Sequence, residues 1–77
     1  MNLCYNKISD INILEKVNFK KLKKLDLFNN EISDIKVLDR ILLKDLEILN
    51  LGENNINKAE NLLIIENLKY KIPILFF

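Results

Sequence analysis

Leu22-Lys-Lys-Leu25-Asp-Leu27-Phe-Asn-Asn30-Glu-Ile32 is answered twenty-four residues later by Leu46-Glu-Ile-Leu49-Asn-Leu51-Gly-Glu-Asn54-Asn-Ile56. Each anchor of the first stretch has its counterpart in the second, and a repeat governs how every shorter segment is read. The same interval backward gives Met1, Leu3, Asn6 and Ile8; forward it gives Tyr70, Pro73 and Leu75. The connections repeat as well, with Ile11, Ile35 and Ala59 equivalent, then Leu14, Leu38 and Leu62, then Val17, Ile41 and Ile65. The pattern predicts one domain over residues 1–77, made of about three 24-residue repeats with a partial fourth strand at 70–77.

Alternation around Leu25 to Leu27 and Leu49 to Leu51 has period two, so the leucines point inward and the residues between them outward. Apolar positions three or four apart in the connections, as in Ile35, Leu38, Ile41 and Leu42, have helical period. Helices are expected at about 9–17, 33–43 and 57–69, with Ser9 and Ser33 as N-caps. A strand, a turn and a helix in each unit predict parallel strands backed on one side by helices, and no unit can cover its apolar side without a neighbour. Asn6, Asn30 and Asn54 recur at the bends, where an amide with two donors and an acceptor can satisfy backbone groups of adjacent coils. These three are expected to form a ladder.

The segments Leu22 to Ile32 and Leu46 to Ile56 resemble the leucine-rich-repeat signature. The isoleucines of Asn30-Glu-Ile32-Ser-Asp-Ile35 look like the subclass found in phosphatase-regulatory repeat proteins. Leu22-Lys-Lys-Leu25-Asp-Leu27 is also similar to the repeats of acidic nuclear phosphoproteins, although their acidic tail is absent. The resemblance implies an α/β leucine-rich-repeat solenoid, with short parallel strands on a concave face and helices on the convex face. It also implies that the strand face binds a protein.

Composition narrows the other possibilities. Twelve basic and eleven acidic residues leave a net charge of +1, too weak a field to imply nucleic acid. Lys20, Lys21, Lys23 and Lys24 form one basic run, either a solvated face or a contact patch. With no histidine and a single cysteine, Cys4, neither a metal cluster of the usual ligands nor an internal disulfide can form, which favours a reducing compartment, cytoplasm or nucleus. No cofactor is expected, because one glycine cannot make a phosphate loop. A strictly apolar run such as Leu62 to Ile65, which no other exceeds, is far too short to span a bilayer, and the opening residues do not read as a signal peptide. Acids are plentiful, but no nucleophile and base stand beside them, so an enzyme is not expected.

At the repeat interval the outward strand positions fall into three rows: Lys24, Ile48 and Ile72; Asn2, Asp26, Asn50 and Ile74; Cys4, Phe28, Gly52 and Phe76. Phe28 beside Ile48, with Lys24, Asp26 and Asn50 around them, has the make-up of a protein contact site, and Gly52 is expected to leave a gap for a partner side chain. Scattered exposed hydrophobic residues would give the same row. The ending Ile72-Pro73-Ile74-Leu75-Phe76-Phe77 is apolar around a proline that cannot donate in a central strand. It either folds over the last repeat or docks on another chain through Ile72, Ile74, Phe76 and Phe77. Two functions follow: a module that binds a protein partner through its strand face, or a structural subunit or fragment completed by self-association or by a larger assembly, such as a ribonucleoprotein.

Overall fold

In the computed structural model, residues 1–16, 21–41 and 45–77 are described. Val17, Lys20 and Leu42 of the repeat pattern and the basic run lie outside them. Strands β1 (Lys24–Asp26), β2 (Ile48–Asn50) and β3 (Ile74–Phe76) form a parallel sheet in that order. The chain start extends it on the β1 side, with Asp26 N–H donating to Met1 O at 2.9 Å and Leu3 N–H to Asp26 O at 2.8 Å. Leu25, Leu27, Leu49 and Leu51 turn to one side and are essentially inaccessible, as their alternation demands. On that side they meet Ile11, Leu14, Ile32, Ile35, Leu38, Ile65, Leu68 and Ile72. Each such side chain removed from water contributes on the order of 1.5–3 kcal/mol.

A 3₁₀ turn over Asn12–Lys16, helix α1 (Val37–Arg40) and helix α2 (Leu62–Lys71) back the sheet. The expected helices at 9–17 and 33–43 are thus much shorter where described, because the chain ahead of them is committed elsewhere. Glu31 N–H donates to Ile8 O and Asn55 N–H to Ile32 O, both at 2.9 Å, so extended backbone joins one coil to the next after each bend. The expected cap at Ser33 is not formed: α1 is entered from Lys36, which makes no side-chain cap bond, and the side-chain bonds ahead of the helical residues come from the neighbours of Ser9 and Ser33. Asp10 Oδ1 accepts from Asn12 N–H and Asp34 Oδ1 from Lys36 N–H, each at 2.9 Å, in turns that precede the helical residues.

The bends are held by asparagine amides. Asn30 Oδ1 accepts from Ile8 N–H of the preceding coil at 3.1 Å, while its Nδ2 donates to Leu3 O and Leu27 O, both at 3.0 Å. Asn54 repeats the arrangement one coil on, accepting from Ile32 N–H at 3.0 Å and donating to Leu27 O at 2.9 Å and Leu51 O at 3.0 Å. Asn6 donates only within its own coil, to Leu3 O and Cys4 O, and is exposed. The residue before each of these amides is left-handed: Tyr5, Asn29 and Glu53 have φ of 58°, 57° and 53°. Asn tolerates that conformation, whereas Tyr and Glu are strained in it by about 1–2 kcal/mol.

The final strand corrects the sequence reading. Lys24 pairs with Ile48 at an interval of twenty-four, but Ile48 pairs with Ile74, Leu49 with Leu75 and Asn50 with Phe76, two residues later than the repeat predicts. The partial fourth strand expected at 70–77 is therefore confined to Ile74–Phe76, and Tyr70 belongs to α2 and is 94% exposed. Ile72, assigned to the outward row, is in the core at 2% exposure, where its counterpart two dozen and two residues earlier, Leu46, also sits. The interval of twenty-four still holds at Asn55, whose N–H donates to Ile32 O as Glu31 N–H donates to Ile8 O, so the two additional residues enter between there and Ile72. Ala59 and Leu62, expected to be buried like Ile35 and Leu38, are exposed, and Asn61 is buried with its Nδ2 donating to Asn57 O at 2.8 Å. Helix α2 accordingly begins at Leu62 and runs past the expected 57–69 to Lys71.

Pro73 does not interrupt the sheet. Ile74 N–H donates inward to Glu47 O at 2.9 Å, so the position before it is one whose donor would face away from β2.

Replacing Asn30 by Ala should lower unfolding free energy by about 2–3 kcal/mol in urea titrations, since buried groups of two coils lose their partner, whereas Asn6→Ala should cost less than about 1 kcal/mol. Glu53→Asn should raise stability by about 0.5–1 kcal/mol in the same measurement through relief of the left-handed strain.

Candidate functional site

Opposite the leucines, the sheet presents a face that no helix among the described residues covers. Alternation places Lys24, Asp26 and Phe28 there from the first coil and Ile48 and Asn50 from the second. The shifted register brings Ile74 beside Ile48 and Phe76 beside Asn50, so the rows read Lys24, Ile48, Ile74 and Asn2, Asp26, Asn50, Phe76. Ile74 and Phe76 are 44% and 52% exposed, Ile48 and Phe28 are half-buried, and Lys24 is exposed. Phe77 is partly buried against the core and Ile72 is within it, so of the four residues given a docking role at the chain's end only Ile74 and Phe76 stand free.

Asp26 and Asn50 are occupied locally. Asn2 Oδ1 accepts from Cys4 N–H at 3.1 Å, Asp26 Oδ1 from Phe28 N–H at 3.1 Å, and Asn50 Oδ1 from Gly52 N–H at 3.0 Å. A second row of side-chain bonds thus closes the strands, on the face opposite the core. Its signal was in the sequence: three residues at one interval, each Asn or Asp, types whose short side chains take the amide two positions on.

The expected gap at Gly52 is already filled. Gly52 is buried, and a Cβ placed on it would lie 3.0 Å from Phe28 Cδ1 and 3.2 Å from Asn50 Oδ1. Phe28 leans over the glycine and takes the space assigned to a partner. On the other side the Tyr5 ring meets Phe28 edge-on, with centroids 5.7 Å apart and an interplanar angle of 72°. The sequence reading missed Tyr5, because only the left-handed backbone at that position carries its ring toward the strand face.

Away from the strand face, α2 exposes Leu62, Leu63 and Tyr70, and charged side chains stand in solvent on the first two coils. Lys21, Lys23 and Lys24 are exposed, and Glu15 and Arg40 pair at 2.7 Å between the 3₁₀ turn and α1 with both side chains about half exposed, a bond worth under about 1 kcal/mol. A groove is lined by Ser33, Asp34, Lys36, Asn55, Asn57 and Glu60, in the connections that follow β1 and β2. Among the described residues, no group of three His, Cys, Asp or Glu side chains is placed to hold a metal ion, and no helix is long and apolar enough to cross a membrane.

A family model described as "Leucine Rich repeats (2 copies)" matches residues 1–40. No curated protein and no solved structure matches the chain.

Gly52→Ala should destabilise the protein by about 1–2 kcal/mol, because the new methyl group presses on the Phe28 ring. In a Phe28→Ala background the same substitution should cost less, and a double-mutant cycle by thermal unfolding would measure that difference.

Proposed function

The chain belongs to the leucine-rich-repeat family, and from that premise we propose that it is a protein-binding module whose partner sits on the open strand face. Repeats of this family generally mediate protein–protein interaction and are typically non-catalytic. The observation that carries the reading is the apolar surface of Phe28, Ile48, Ile74 and Phe76 on a face that no helix among the described residues covers, bordered by Lys24, Asp26 and Asn50. An aromatic and aliphatic centre with a polar edge is the make-up of residues that dominate binding energy in protein interfaces.

The subclass we propose, phosphatase-regulatory or acidic nuclear phosphoprotein repeats, rests on the sequence pattern of Asn30-Glu-Ile32-Ser-Asp-Ile35 and Leu22-Lys-Lys-Leu25-Asp-Leu27. Cys4, a free thiol, is in keeping with work in a reducing compartment, cytoplasm or nucleus. A second reading, a structural subunit that associates with copies of itself, is favoured by Leu62, Leu63 and Tyr70, exposed by 54%, 81% and 94% on α2.

The test is capture from native extract with the chain immobilised. Replacing Ile48, Ile74 and Phe76 by Ser should lower recovery of a specific partner at least roughly tenfold, the effect of losing about 1.4 kcal/mol or more of binding. Leu63→Ser with Tyr70→Ser should leave it unchanged. The opposite pattern overturns the strand-face reading, and a mass in solution that falls to the monomer only in the α2 variant would establish self-association instead.

A further inference from the structure

The row Asn2, Asp26, Asn50 contains one carboxylate between two amides, although all three side chains make the same bond to the amide two residues on, at 3.1, 3.1 and 3.0 Å. An amide oxygen at positions 2 and 50 does what the carboxylate oxygen does at 26, so the fold has no use for the negative charge. Asp26 spends one oxygen on Phe28 N–H, and among the described residues no basic group lies within salt-bridge distance of the other. Lys24, on the same face two residues earlier, is exposed and repels a second cation from the strand's start. Phe28, whose N–H the carboxylate accepts, follows it by two residues on the same outward alternation and is paired edge-on with Tyr5, which is 71% exposed.

We propose that Asp26, with Phe28 and Tyr5, receives a cationic side chain of the protein bound on the open face, an arginine by preference. This rests on the reading of that face as the partner's seat. A guanidinium bonds a carboxylate through its planar donors and packs on aromatic rings, so the two features of the site are met by one group. A lysine meets the charge but not the planar contact.

Amide NMR titrations with two short aliphatic peptides, identical except for a central Arg or Gln, separate this claim from the one beneath it. The Arg peptide should shift the Tyr5, Asp26 and Phe28 amides and bind roughly two- to fivefold more tightly than the Gln peptide, the range of an exposed ion pair. Asp26→Asn should level the two affinities and leave the unfolding midpoint in place, as Asn2 and Asn50 foretell, while Asp26→Ala should unfold earlier through loss of the bond to Phe28 N–H. Equal affinity of both peptides for the unaltered protein overturns the cation site and leaves the face as a protein seat. Failure of either peptide to shift any amide of the face overturns both, and earlier unfolding of Asp26→Asn shows that the fold requires the charge and overturns the cation site.

Discussion

An asparagine side chain that reaches back one coil is the contact on which this molecule depends. Each turn after a strand leaves carbonyls and amides pointing into the stack, where water does not reach and no regular strand partner is available. Asn30 and Asn54 each satisfy backbone groups of their own coil and of the one before, with one acceptor and two donors arranged as the site requires. A leucine spine supplies most of the driving force, but it has no direction along the stack. The amides fix the spacing and phase at which successive leucine pairs meet.

Much of this was legible in the sequence because the repeat is written in residue types with narrow physical roles. Leucines at alternate positions gave the inward side of β1 and β2, and the constant interval between Asn30 and Asn54 marked the bends. The last coil was misread because side chains of the right type also occur at the wrong place. Leu62 and Leu75 both fall on the interval of twenty-four, yet the chain gains two residues before the last strand, and a periodic count has no means of seeing where they enter. Helix lengths were overestimated for another reason: extended pairing after each bend uses residues such as Ile32 before any helical turn begins.

The strand face shows how structural and binding duties share the same residues. Asp26 and Asn50 appear in sequence as polar contacts for a partner, and in three dimensions each ends its strand by holding an amide. Phe28 appears as a free anchor and instead roofs Gly52 while its edge touches Tyr5. Such prior commitments keep the side chains in one arrangement before any encounter, which reduces the ordering that association would otherwise require. Only where the register has slipped, at Ile74 and Phe76, does the face offer apolar groups without local employment.

The two residues gained by the third coil enter its connection, which carries the ten-residue α2, and leave the strand at the same three residues. Units that are broader at the back than at the front cannot stack as parallel plates; like the wedge-shaped stones of an arch, they must lean. The lean of such a stack is a matter of chain arithmetic, adjustable by adding or deleting backbone in the connections without altering any side chain that looks outward.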